Sequence, residues 1–269
     1  VRRLQGMNTS SSSKRSPLTF FVLVFALAIP FWLLGGRPLP GPLRNLPVSA
    51  LQTVVPLIAA SILVYREEKF SGIRKLLKRV FDYKSIKEKI WYVPIIFLLP
   101  LIYLLAYGVM RLIGLPIPEP LPFLTIPLLF VLFFIGAVGE ELGWTGYAID
   151  PMQDRWNALQ ASILLGLVWA IFHLVPLVQA QRSPAWIAWW VPGVVGLRIL
   201  IVWLYNNTGK SVFAAILFHA IGNVSNTLVG EQVWPYPFGT GQITAITAVI
   251  VTFLWGSKTL ARYRYAATR

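Results

Sequence analysis

Residues 123–149 read FLTIPLLFVLFFIGAVGEELGWTGYAI, and this stretch decides how the chain folds. It is long enough to cross the hydrocarbon core of a bilayer, which takes about 20 apolar residues in a helix. It also carries two adjacent carboxylates, Glu140 and Glu141. A carboxylate at membrane depth costs several kcal/mol unless it is protonated, paired or in contact with water. The pair therefore marks the start of a functional site.

The rest of the chain has the same apolar character. Of its 269 residues, 56% are hydrophobic and 13% are charged, which is too apolar for a soluble domain of this size. Short stretches rich in Pro, Gly, Asn or Lys/Arg separate the apolar runs. We predict an all-α, polytopic membrane helical bundle with about eight transmembrane helices. The predicted spans are 18–34, 48–65, 91–113, 123–149, 158–178, 185–205, 211–229 and 240–255.

The formal charge of +14 comes from Lys and Arg at the ends of the apolar runs. This pattern indicates anchoring to anionic membrane lipid and no nucleic-acid partner. The positive-inside rule predicts that a basic leader (1–16), a basic loop (66–90) and a basic tail (258–269) are cytoplasmic, together with both termini. Residues 17–257 then form a single transmembrane domain in the cell membrane.

The basic loop has its own helical pattern. Residues 66–89 hold nine Lys/Arg against four acids. Five apolar residues at helical spacing predict an interfacial amphipathic helix, whereas the alternative is an ordinary solvated run of charges. These apolar residues are Ile73, Leu76, Leu77, Val80 and Phe81.

Both histidines of the chain also lie inside predicted spans, at His173 and His219. A single histidine in a helix is more often a packing residue than a catalyst. Here both occur within one segment, 123–229, together with the glutamate pair, so we predict a shared site. Asn223 lies four residues after His219 and shares its helix face, which suits two donors directed at one oxygen.

Missing residues exclude several hydrolytic chemistries and weaken the case for a serine nucleophile. The chain has no cysteine, no HExxH and no Gly-x-Ser-x-Gly sequence, and no aspartate lies inside a predicted span. The residue types that remain for catalysis are carboxylate, imidazole and amide, acting on water.

These motifs resemble the CPBP intramembrane proteases, which include the type II CAAX prenyl endopeptidases and the Abi proteins. That family carries Glu-Glu-x-x-x-Arg, then Phe-His or Phe-x-x-x-His on the next span, then His-x-x-x-Asn two spans later. The matching residues here are Glu140-Glu141-Leu-Gly-Trp-Thr145, Phe172-His173 and His219-Ala-Ile-Gly-Asn223. The resemblance covers residues 123–229.

The resemblance implies that Glu140 is a general base on water, that His173 orients this water, and that His219 with Asn223 forms the oxyanion hole. Adjacent residues point about 100° apart around a helix, so Glu141 is expected to support Glu140. We prefer a site that works without a cofactor. The alternative is a divalent metal such as zinc, held by Glu140, His173 and His219.

Thr145 departs from the family pattern, which has arginine there. Glu141 then lacks a cation one turn away, and is either protonated or paired elsewhere. Arg198 in the sixth predicted span is the candidate partner. Its alternative is snorkelling, since it lies about 10 Å of helix rise from the span end.

The sequence is thus interpreted as an intramembrane endopeptidase that cleaves a peptide or protein substrate, with lipidated substrates included, near the cytoplasmic membrane face. Two other classes remain open. A degenerate family member could act by binding, as in bacteriocin self-immunity, and Thr145 favours that reading. A proton- or ion-coupled transporter could use the same Glu and His residues as a relay, but would not need His-x-x-x-Asn.

Overall fold

The computed structural model describes residues 15–37, 48–114, 124–229 and 239–261. Every regular element within these ranges is helical. The α-helices are α1 (Pro17–Leu33), α2 (Val55–Lys78), α3 (Tyr92–Leu112), α4 (Thr125–Gly143), α5 (Ile149–Gln153), α6 (Ala158–Gln179), α7 (Pro184–Asn207), α8 (Val212–Val229) and α9 (Thr240–Trp255). A π-helical turn, Trp144–Ala148, joins α4 to α5, and 3-10 turns cover Val48–Val54, Arg79–Phe81, Tyr83–Ser85 and Lys89–Trp91.

The predicted all-α, polytopic bundle is confirmed. Five helical stretches are long and apolar enough to cross a membrane, and three shorter apolar helices accompany them. The long stretches are Val48–Phe81, Lys89–Leu112, Thr125–Gln153, Ala158–Gln179 and Pro184–Asn207, and the shorter helices are Pro17–Leu33, Val212–Leu228 and Thr240–Trp255. Each predicted span therefore corresponds to an apolar helix.

The helices that carry the motifs are neighbours. Helix α4 packs against both α2 and α8, while α7 packs against α6 and α9. Glycine allows a close approach of α4 to the start of α2 and to the 3-10 turn before it. A Cβ added at Gly143 would lie 2.5 Å from the Pro56 side chain, and one at Gly139 would lie 2.5 Å from the Thr53 carbonyl oxygen. Small residues four apart thus seat the glutamate-bearing part of α4 against α2.

The basic segments gather at one end of the bundle, which we call the basic end. There the Arg79 guanidinium donates to the Lys210 carbonyl at 2.9 Å, and the Ala158 amide donates to the Lys258 carbonyl at 3.0 Å. Arg15 also lies there, since it pairs with Glu67 at 2.9 Å. Residues 1–14 and 262–269, which hold most of the predicted leader and tail, lie outside the described residues.

The basic loop is only partly the predicted interfacial helix. Helix α2 continues into it as far as Lys78, with a break at Lys69, where φ is 56°. Within the loop Leu76 and Val80 are buried against the bundle, whereas Leu77 and Phe81 are 46% and 65% exposed. The apolar face is therefore divided between the protein core and the surroundings.

Candidate active site

The two adjacent glutamates face different neighbours. Glu140 lines a cavity of about 430 Å³ between the helices, and Glu141 lies behind the cavity wall with no exposed surface. This divergence follows from the 100° turn between neighbouring helical residues. A π-helical turn begins three residues after Glu141, and such turns occur frequently at functional sites.

Glu140 keeps one carboxylate oxygen in a fixed position. The indole N–H of Trp169 donates to Glu140 Oε2 at 2.6 Å. The Glu140 side chain is almost completely buried but borders the cavity. The remaining oxygen, Oε1, is therefore available to a group inside the cavity.

Glu141 is held by an ion pair that joins two helices. The guanidinium of Arg198 donates from Nη1 to Glu141 Oε2 at 2.8 Å and from Nη2 to Oε1 at 3.1 Å. Both side chains are 0% exposed. A bidentate geometry of this kind is the strongest form of arginine–carboxylate contact. Arg198 thus pairs with Glu141, and the snorkelling alternative is wrong.

Thr145 completes the same network. Its hydroxyl donates to Glu141 Oε2, and Arg198 Nη1 donates to the Thr145 hydroxyl at 3.3 Å. The position where the family pattern has arginine therefore holds a small hydrogen-bonding side chain, and the cation comes from α7. The site keeps its positive charge although the motif residue differs.

The histidines face the same cavity from two different helices. His219 Nδ1 lies 3.0 Å from Glu141 Oε1, and His173 Nδ1 lies 2.8 Å from the Trp169 carbonyl oxygen. Because both acceptors are oxygens without a proton to donate, each Nδ1 carries the hydrogen. The Nε2 atom of each ring is left for the cavity, which both histidines line.

Trp169 is a functional candidate that sequence reasoning missed. Besides binding Glu140, its ring packs edge-on against His219 at 5.3 Å and His173 at 5.6 Å, and Arg198 Cζ lies 4.2 Å from its centroid. Trp169 precedes His173 by four residues and so shares its helix face. That spacing was a readable signal, but an indole in an apolar span looks like core.

Asn223 also lines the cavity, so four of the predicted residues border one space. Glu141, Arg198 and Thr145 lie behind the cavity wall and contact His219 through Glu141. From Glu140 and His219 the cavity extends away from the basic end, to Trp186 at the start of α7, Asn226 near the end of α8 and Thr240 at the start of α9.

The three ligands of the metal alternative, Glu140, His173 and His219, all line the cavity. Within the described part of the chain, no group of three His, Cys, Asp or Glu side chains is placed to hold a metal ion. One nitrogen of His219 faces Glu141 and one nitrogen of His173 faces a backbone carbonyl, an arrangement that metal-ligating histidines also adopt because it leaves Nε2 free.

Two comparisons with known proteins bear on this site. Residues 122–225 match the family model "Type II CAAX prenyl endopeptidase Rce1-like". The chain is also 27% identical over 265 residues to CAAX prenyl protease 2 of Methanococcus maripaludis, covering 90% of this chain and 96% of that protein. Both comparisons confirm the family resemblance predicted from the motifs: the residues that build this site are similar to the type II CAAX prenyl endopeptidases.

Proposed function

We propose that this chain is an intramembrane endopeptidase in which Glu140 activates a water molecule. The observation that supports this most strongly is the difference in surroundings between the two glutamates. Glu140 borders a cavity that it shares with two histidines and an asparagine, while Glu141 is neutralised behind the wall by Arg198. A carboxylate that faces a cavity next to imidazoles suits general base catalysis.

Each polar atom then has a place in the reaction. Water binds between Glu140 Oε1 and His173 Nε2, gives a proton to the carboxylate, and attacks the peptide carbonyl carbon. The proton held by Glu140 passes to the leaving amine as the carbon–nitrogen bond breaks. Trp169 fixes the second oxygen of Glu140 and, through its carbonyl, the ring of His173.

His219 Nε2 and the Asn223 amide donate to the oxyanion that forms on the carbonyl oxygen. A donating Nε2 requires a proton on both ring nitrogens, because Nδ1 already donates to Glu141. In that state two carboxylates, Glu140 and Glu141, balance two cations, Arg198 and His219. The buried cluster is then neutral overall, which lowers the cost of keeping charges at membrane depth.

The reaction so proposed needs no metal. A chelator should leave cleavage unchanged, whereas a zinc-dependent enzyme should lose activity on chelation and regain it when Zn²⁺ is added. The substrate is proposed to be a peptide or protein with a lipidated C-terminal segment, by analogy with the name of the Methanococcus relative. The protein is proposed to reside in the cell membrane of a bacterium or archaeon.

The alternative within the family is a degenerate, purely binding protein. Thr145 favoured that reading because Glu141 seemed to lack a cation. Arg198 supplies the cation at 2.8 Å from another helix, so the departure from the family motif is compensated. Peptide hydrolysis is therefore the function that the geometry supports best.

Glu140→Gln tests the proposed function. Removal of the base should lower turnover of a peptide substrate by a factor on the order of 100 or more, with folding intact. The control is Glu88→Gln, since Glu88 is exposed in the basic loop. Cleavage products are followed by mass spectrometry. Near-normal turnover by Glu140→Gln would contradict the mechanism.

A further inference from the structure

The polar face of α8 does not end at the residues proposed for the oxyanion. Asn226 and Thr227 continue it and line the same cavity as His219 and Asn223. Residues seven apart on a helix return to within about 20° of the same direction, so Asn226 lies almost directly along the axis from His219. Helix α8 thus presents a polar strip that leads outward from the candidate active site.

Asn226 has no evident structural role in this strip. Its amide is half-buried, and within the described part of the chain it has no hydrogen-bond partner. Thr227, in contrast, donates its hydroxyl to the Asn223 carbonyl at 2.9 Å. An amide that faces a cavity inside a membrane protein gains from a partner there, because an unmade hydrogen bond in a buried site costs about 1–3 kcal/mol.

Another part of the cavity wall is aromatic. Trp186 and Trp190 of α7 line it, with their rings stacked at a centroid distance of 6.3 Å. His173 follows, 5.9 Å from the Trp190 ring. The α8 part of the wall offers hydrogen bonds and the α7 part offers apolar surface, which suits an extended peptide with its main chain against α8.

The spacing fits such a peptide. Asn226 lies about 4.5 Å of helix rise beyond Asn223, and an extended chain advances about 3.3–3.6 Å per residue. A peptide whose scissile carbonyl is at Asn223 therefore brings a main-chain amide one or two residues away to Asn226.

We propose that Asn226 is a substrate-positioning residue that hydrogen-bonds the main chain of an extended peptide, one or two residues from the scissile bond and toward Trp186. The inference rests on the proposed function. It adds a binding subsite outside the three motifs and gives the direction in which the substrate lies.

Ester substitution in the substrate tests the proposal. The probe is a short farnesylated peptide ending in Cys-Val-Leu-Met, together with versions in which one amide at a time is replaced by an ester. An ester removes the N–H donor and weakens the carbonyl as an acceptor. Binding is measured by tryptophan fluorescence on full-length protein carrying Glu140→Gln, so that the peptide stays uncut.

One ester should weaken binding by roughly fivefold, the worth of a single hydrogen bond. Adding Asn226→Ala should weaken binding of the all-amide peptide by a similar factor. In that variant the same ester should have no further effect on binding, because both changes remove the same contact. Ser225→Ala is the matched control, since Ser225 donates to the Ile221 carbonyl and does not line the cavity. It should keep the wild-type ester pattern.

The outcomes separate this inference from the proposed function. Additive effects of Asn226→Ala and every ester, or no binding of the peptide, would overturn the role of Asn226. Cleavage is measured separately on the protein with its native Glu140. Coupling at Asn226 without any cleavage would support the subsite and refute the hydrolytic function, and cleavage without coupling would refute the subsite alone.

Discussion

The cation that neutralises Glu141 comes from a different helix than the family motif predicts. In the motif, arginine would lie one turn along the same helix, at position 145. Here Thr145 fills that position, and Arg198 reaches across from α7 with two hydrogen bonds. By its spacing, an arginine at position 145 would be able to reach the same carboxylate.

This compensation gives a rescue experiment. Arg198→Leu should lower the free energy of unfolding by about 3–5 kcal/mol, because Glu141 is left buried and unpaired. Adding Thr145→Arg to that variant should recover part of the stability and of the cleavage by rebuilding the pair within α4. Thr145→Arg alone should crowd the site, since Thr145 is 1% exposed. Stability is measured by SDS titration in mixed micelles.

Arg74→Leu is the control for the loss of an arginine, because Arg74 is exposed. If Arg198→Leu proves as stable as Arg74→Leu, the ion pair does not contribute to stability. If the double variant gains nothing over Arg198→Leu, the two positions are not equivalent.

The sequence identified individual site residues where an ionisable side chain lies within an apolar span. Glu140, Glu141, His173 and His219 stood out because each would be costly in hydrocarbon, and the structure brings them together around one cavity wall. Trp169 was missed because an indole, unlike a carboxylate, is an ordinary residue in an apolar span. Whether Arg198 pairs with Glu141 or snorkels to the headgroups could not be decided from helix rise alone. The answer depends on how α4 and α7 pack. The catalytic roles stay predictions.

At the scale of elements, α8 is held at its start by a distant carboxylate. Asp82 accepts hydrogen bonds from the Ser211 hydroxyl at 2.7 Å and from the backbone amides of Val212 and Phe213 at 3.1 and 2.9 Å. An anionic acceptor here satisfies free N–H groups and complements the helix dipole. The basic loop therefore fixes the end of the helix that carries His219 and Asn223.

Asp82→Ala should accordingly lower the free energy of unfolding by about 1–2 kcal/mol, the usual cost of losing an N-terminal cap. Peptide affinity should fall as well, since α8 forms the polar wall of the cavity. The control is Glu88→Ala, which removes an exposed acid from the same loop. Equal stability of the two variants in a denaturant titration would show that the cap is dispensable.

Apolar run length predicted the helices themselves well, because the bilayer imposes a minimum span. It could not predict their local irregularities. The predicted second span begins as a 3-10 turn, Val48–Val54, and the fourth continues through a π-helical turn, Trp144–Ala148. Both features occur where α4 packs closely on the 3-10 turn and the start of α2 through Gly139 and Gly143. Hydropathy cannot reveal such contacts.

For the molecule as a whole, the cavity and the basic loops point to opposite ends. His219 lies about 10 Å of helix rise from the start of α8 at the basic end, but the cavity leads away toward Trp186 and Thr240. If the basic end is cytoplasmic, as the positive-inside rule predicts, the cavity extends from the candidate active site toward the opposite membrane face. The membrane orientation of the chain therefore decides which face the outer part of the cavity lies toward.

The absence of cysteine in the chain makes this question directly measurable. Single cysteines are introduced as Lys87→Cys in the exposed basic loop and Thr240→Cys at the outer part of the cavity. A membrane-impermeant maleimide should modify the two variants from opposite faces of sealed vesicles, with Lys87→Cys accessible from the cytoplasmic face. Labelling of both from one face would contradict the arrangement of the bundle.

The ion pair between α4 and α7 also affects how the protein is made. A pair within one helix can form as soon as that helix leaves the translocon. The pair between Glu141 and Arg198 can form only after a further 57 residues have been synthesised. During that interval the fourth span carries an unpaired carboxylate, and we expect it to insert less readily because a carboxylate in a span is costly. Nascent chains that stop before α7 are therefore expected to be recognised as unfinished by the membrane quality-control proteases.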